Sequence, residues 1–190
     1  GEVYDALKEK QIENWSMPEY DDSAWKPVRE ISLKNTMTTA HSHGWTPADN
    51  YEHFHLTGQF GQTVKEIKKI TAVSVKEVQP GVFVYDMGQN MAGVPEIDLS
   101  GVSSGTKICL RFAEIEYPDL PEYSGNIGMI MLENIRAAMA QDIYIARGGK
   151  ETISPRFTYH GYRYLEITGI EQALPLEAVR GVVLSSISHL

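Results

Sequence analysis

Short runs of alternating apolar residues, each cut off by glycine or proline, dominate this chain and leave little room for long helices. Val73-Ser-Val-Lys-Glu-Val78 alternates, Pro80-Gly81 turns, and Val82-Phe-Val-Tyr85 resumes an apolar run before Gly88 and Gly93 interrupt it. Successive side chains on a strand point to opposite faces, so period-two runs build sheets, whereas a surface helix needs apolar residues three and four apart. Pro95–Leu99 and Lys107–Ala113 read as two further strands, joined through Ser100-Gly101 and Ser104-Gly105 by a loop of hairpin size. Asp142–Ala146, Phe157–Tyr159, Tyr162–Thr168 and Gly181–Ser185 add four more, with Gly148-Gly149 as a turn. Strands recurring every about 8–12 residues with glycine-rich turns predict an all-β fold, a jelly-roll-like β-sandwich. Met129–Ala140, apolar and rich in Met and Ala, is expected as one short helix or apolar loop laid on it.

The first fifty residues differ in texture. All three tryptophans, Trp15, Trp25 and Trp45, lie there among Pro18, Pro27 and Pro47, and Asp21-Asp22-Ser23 is a turn or helix cap ahead of Trp25. Strand patterning is too thin in this stretch for an independent domain, so a boundary is placed near residue 50.

Charge narrows the partners. Seventeen Lys plus Arg against 25 Asp plus Glu give a net charge of −8 with the signs interspersed. Nucleic acid and anionic membranes both require a basic footprint, and neither is expected to bind. No apolar run approaches the ~20 residues that span a bilayer. Cys109 is the single cysteine, so no disulfide can form within the chain, and its apolar setting between Ile108 and Leu110 predicts a buried, inert thiol.

Few groups suggest chemistry of their own. Neither Gly58-Gln-Phe-Gly61 nor Arg147-Gly-Gly-Lys150 is a phosphate loop, and there is no Gly-x-Ser-x-Gly elbow. His41 and His43, and again His53 and His55, are spaced to share a strand face, but no companion acidic or thiol ligand accompanies them, so no metal site is expected. Glu114 and Glu116 would stand about 6.6 Å apart on one strand face. Glycoside hydrolysis needs carboxylates on opposite sides of the scissile bond, so no catalytic residue is assigned. The densest polar and aromatic cluster is Pro155–Glu166, followed by Asp86–Gly93. Aromatic faces stack on sugar C–H bonds and forked polar groups read hydroxyls, which makes Tyr159, His160 and Asn90 candidate carbohydrate-binding residues. The structural alternative for the same segments is a paired arginine and turns whose amides satisfy loop backbone.

Four segments in series carry a family pattern. Tyr85-Asp-Met-Gly-Gln-Asn-Met-Ala-Gly93, Leu110-Arg-Phe-Ala-Glu114, Arg136-Ala with Asp142-Ile-Tyr144, and Pro155-Arg-Phe-Thr-Tyr-His-Gly-Tyr-Arg-Tyr164 resemble the bacterial α-L-rhamnosidases of glycoside hydrolase family 78. The resemblance covers residues 55–190 and lies in the β-sandwich that precedes the catalytic barrel. Gly1–Ala6 with Asp21–Trp25 is similar to the closing segment of the sandwich before it. The resemblance therefore implies residues 1–50 as the tail of an upstream domain plus connector, and residues 51–190 as a non-catalytic module. It implies inverting hydrolysis of terminal α-L-rhamnose by acidic residues of an (α/α)6 barrel expected after Leu190. The partners it implies are that barrel in the same polypeptide and a rhamnose-containing glycan. No cofactor is expected in this stretch, and the calcium that some family members use belongs to the upstream sandwich. The rival expectation is a carbohydrate-binding module with its own glycan site.

Alternation in Tyr162–Ile167 puts Arg163, Leu165 and Ile167 on one strand face, which predicts Arg163 on the core side. A guanidinium there stays charged and must be paired, with Asp86 as the preferred partner and Glu114 as the other.

Overall fold

The computed structural model describes residues 1–30, 55–136 and 138–187. His41, His43 and His53, as well as Trp45 and Pro47, lie outside the described residues, while His55 is exposed. The chain divides into two compact units, Gly1–Glu13 with Thr63–Leu190, and Asn14–Gln62.

In the smaller unit the aromatic residues cluster locally, Trp15 and Tyr20 packing 6.4 and 5.6 Å from Trp25. Asp21 Oδ1 accepts from the Ser23 N–H at 3.0 Å, and the Trp25 N–H donates to the Asp22 carbonyl, so this segment is a turn and starts no helix.

The larger unit is one nine-stranded sheet that curls on itself into a sandwich. Its strands are β1 (Val3–Asp5), β2 (Lys65–Thr71), β3 (Ser74–Gln79), β4 (Val82–Val102), β5 (Lys107–Ala113), β6 (Gln141–Ile145), β7 (Gly149–Ile153), β8 (His160–Thr168) and β9 (Val179–Ser185). They are ordered β1-β6-β5-β8-β4-β9-β2, with β3 and β7 also pairing with β4. The 21-residue β4 makes the curl, because its start pairs with β3 and β8 and its end with β9 and β7. Tyr85, Met87, Phe112, Tyr162, Leu165 and Ile167 fill the interior. The Tyr85 hydroxyl donates to the Leu174 carbonyl at 2.9 Å, and burial pushes its phenol up to about 12.

Several local expectations change. The breaks expected at Gly88 and Gly93 do not end a strand, and Pro95–Leu99 is part of β4. Gly93 sits so close to β9 that a Cβ there would overlap the Val182 carbonyl, so this glycine serves close approach and no turn. Pro95–Leu99 and β5 form no hairpin, since β5 pairs with β6 and β8. Phe157–Tyr159 is not a strand, and its backbone is held instead by the Glu2 carboxylate, which accepts from the Arg156 and Phe157 N–H groups. The described part of Met129–Ala140 is the apolar loop of the two alternatives, with a single 3-10 turn at Glu133–Ile135.

Arg163 does not face the core. Asp86 is registered with Tyr164 and Met91 with Tyr162, so residues 87–90 of β4 lie opposite the single residue 163. That irregularity breaks the alternation, and the inward residues of β8 become Tyr162, Leu165 and Ile167. The Arg163 side chain is 41% exposed and lies over the Tyr164 ring at 5.2 Å.

Candidate functional site

The strand ends build a groove of about 870 Å³. β1 runs parallel to β6 with Val3 opposite Ile143, which makes residues 1–3 one wall. The end of β5 at Phe112 and Ala113, Ile135 with Ala138, Met139 and Ala140, and Thr158 and Tyr159 just ahead of β8 supply the rest.

A buried polar chain organises the floor. The Glu2 N–H donates to Asp142 Oδ1 at 2.7 Å, and Asp142 Oδ2 lies 3.0 Å from His160 Nε2. Asp142 and His160 are 3% and 8% exposed. An ionised carboxylate only accepts, so the geometry assigns the proton to Nε2. Phe112 stacks on the imidazole at 3.9 Å with the planes 9° apart, and meets Tyr162 edge-on at 5.1 Å. The ring of His160 is thereby fixed by a hydrogen bond along one edge and by a stacked aromatic ring against it.

The structure brings two of the three sequence-predicted sugar-contacting residues to this groove. Tyr159 stands on its wall, 69% exposed, and His160 lies on its floor. Asn90 does not line it, but its side-chain amide donates to Glu114 Oε1 at 2.9 Å, and Glu114 is a lining residue. Sequence reasoning missed Asp142, Phe112 and Glu2. Only Asp142 left a signal, since it occupies an inward position of β6 in step with buried Tyr144.

Glu114 and Glu116 do not share a strand face, because β5 ends at Ala113; Glu116 instead pairs with Lys76 Nζ at 3.3 Å. Arg163 and Asp86 meet on the outer face, with Nε and Nη2 donating to Oδ1 and Oδ2 at 2.8 Å each. The guanidinium, with help from the Gly88 N–H, holds the Asp86 carboxyl below the usual carboxylate range. Its contribution to stability is present above the unfolded carboxylate value and is lost as pH falls through the folded one.

Glu166 behaves in the opposite way. Its Oε1 accepts from Arg111 Nη1 at 3.0 Å, while buried Oε2 has no partner among the described residues. Burial pushes its carboxyl up, against the opposing pull of Arg111. A raised folded value means its favourable contribution is present in acid and is lost as pH rises through that value. Glu166→Gln, which keeps an acceptor for Arg111, should therefore gain stability relative to the parent over the rise in pH that starts at about 4, the unfolded carboxylate value. Thermal melts across that range check this, and a constant difference between the two proteins would count against it.

Among the described residues no three His, Cys, Asp or Glu side chains converge as metal ligands. Residues 76–185 match the family described as the bacterial alpha-L-rhamnosidase concanavalin-like domain. Across 97% of its length the chain is 38% identical to an alpha-L-rhamnosidase of Streptomyces avermitilis, of which it covers 15%. It is 31% identical over all of its length to an alpha-L-rhamnosidase of Alteromonas sp. (strain LOR), of which it covers 17%. The structure of alpha-L-rhamnosidase from Dictyoglumus thermophilum superimposes with a TM-score of 0.75 at 33% identity, covering 98% of this chain and 18% of that one. The Streptomyces avermitilis enzyme complexed with L-rhamnose gives a TM-score of 0.76 at 38% identity, covering 98% and 16%.

Proposed function

Because the chain belongs to the bacterial alpha-L-rhamnosidase concanavalin-like domain family, we propose that it is a non-catalytic β-sandwich module of a multidomain α-L-rhamnosidase, packed against the catalytic barrel of the same polypeptide and bracing it. The observation that carries this reading is the proportion of the match: nearly the whole chain aligns, yet it accounts for 15% and 17% of two relatives that carry the enzyme's name. In this reading residues 1–50 hold the end of a preceding sandwich and a connector, and residues 51–190 the module itself. The short β1 stitches that preceding end onto β6. The reaction assigned to the parent is hydrolysis of terminal α-L-rhamnose from a glycan, with the acid and base supplied by the barrel.

The site chemistry supports a non-catalytic role. Inverting hydrolysis requires two carboxylates facing each other across the scissile bond, about 6.5–9.5 Å apart. Glu114 is tied to Asn90 and Glu116 to Lys76. The 190-residue chain should therefore release no nitrophenol from an aryl α-L-rhamnoside above a blank. Turnover that disappears in Glu114→Gln would overturn the proposal. For the bracing role, excising the module from the parent enzyme should lower the melting temperature of the remaining catalytic domain, and an unchanged melt would refute it.

A further inference from the structure

We infer that the groove between β5, β6 and the start of β8 binds a neutral pyranose residue of a glycan, with the Tyr159 ring as its stacking platform and His160 Nδ1 and the Glu114 carboxylate as acceptors for ring hydroxyls. The choice of a rhamnoside as first probe rests on the proposed function; the site itself rests on the groove.

His160 is the first support. Its residue is 8% exposed, Asp142 engages Nε2, and Nδ1 has no hydrogen-bond partner among the described residues. Nδ1 is not one of the buried side-chain atoms left without a partner, which among the described residues are Tyr162 Oη and Glu166 Oε2; on a residue that lines the groove it can exchange water for a ligand donor. With its proton on Nε2, Nδ1 offers a lone pair and calls for a donor such as a hydroxyl.

Glu114 is the second. The Asn90 amide fixes Oε1, and the carboxylate lies on the same groove as His160. Two acceptors converging on one cleft fit a ligand with several hydroxyl donors. The same carboxylate, with Glu2 and Asp142 nearby, repels an anionic ligand, which selects neutral over acidic sugars.

Tyr159 is the third. Exposed aromatic rings are common, and one alone signals nothing. Here Tyr159 lines the same concavity as His160, and Met139 and Ile143 add apolar surface suited to sugar C–H faces. At about 870 Å³ the groove is at the large end for a small-molecule site and has room for more than one sugar ring.

Titrating the isotopically labelled 190-residue chain with methyl α-L-rhamnopyranoside, methyl α-D-glucopyranoside and sodium D-glucuronate at constant ionic strength tests this. Ring resonances of Tyr159 and His160 should shift with at least one neutral glycoside and saturate with a Kd of about 1–10 mM. Glucuronate should bind at least about tenfold more weakly. Tyr159→Ala and Glu114→Gln should each weaken binding about tenfold or more with an unchanged melt, while Tyr159→Phe retains it. Silence of both resonances with both neutral glycosides to about 100 mM overturns the inference. So does unaltered binding by Tyr159→Ala, or glucuronate binding equal to the neutral probes. None of these outcomes depends on whether the chain hydrolyses an aryl rhamnoside, so the two proposals fail separately.

Discussion

Gly169→Ala should destabilise the chain by about 2–5 kcal/mol, one of the largest losses expected from a single methyl group anywhere in the sheet. Gly169 follows the end of β8 and has φ +89, a region where an L side chain costs about 1–2 kcal/mol. A Cβ there would also overlap the Lys107 carbonyl at the start of β5. That neighbour is backbone in a paired strand, so it cannot rotate away, and overpacking of this kind adds about 1–3 kcal/mol. Gly81 provides the control, with φ +74 and open space around its would-be Cβ. Gly81→Ala should show the conformational cost alone, about 1–2 kcal/mol. Urea unfolding of both variants separates the two contributions. A Gly169→Ala loss no greater than that of Gly81→Ala would mean the β5 and β8 backbones yield freely.

Phe112→Ala should cost about 3–5 kcal/mol, the range for deleting a fully buried aromatic side chain. Phe112 is 1% exposed and belongs to the main core, and its ring also supports His160 and the edge of Tyr162. Its removal leaves a cavity beneath the groove and frees one side of the imidazole, so the damage extends beyond the transfer energy of the lost ring. Asp142→Asn removes the other constraint on His160. Because both substitutions act on one residue, the double variant should depart from additivity by about 0.5–3 kcal/mol. Unfolding free energies of the two single variants and the double variant check this. A Phe112→Ala loss below about 1 kcal/mol would show that the site collapses to refill itself.

Strands with one buried face were legible. β3, β5, β6, β8 and β9 lie within two residues of the expected runs, because alternation reports a local geometry in which each residue sees only its own pleat. β2 escaped because it lies at the end of the sheet and Lys65–Thr71 is exposed at all but one position, so no apolar period marks it. β1 is three residues long and is a strand only because β6 receives it across about 140 positions of sequence. Gly93 shows a different ambiguity: a glycine that ends a strand and one that lets a neighbouring backbone come close are the same letter.

The candidate site divides along the same line. Tyr159 and His160 could be named because an aromatic and an imidazole beside polar residues announce their chemistry in any conformation. What each one does was decided by residues distant in the chain. Asp142 sets the tautomer of His160, Phe112 covers its face, Asn90 orients Glu114, and Glu2 brings the start of the chain onto Asp142 and the Tyr159 loop. Arg163 shows the limit most sharply, since strict alternation sends it to the core and the register shift between Asp86 and Met91 turns it outward. By itself, the sequence determined the strands that alternate with one buried face, the family they belong to, and which side chains carry usable chemistry, because those depend on residue type and local period. Tertiary structure alone decided register, facing and partnership, since these depend on where the chain returns, and a one-residue shift in pairing reverses the face of every side chain beyond it.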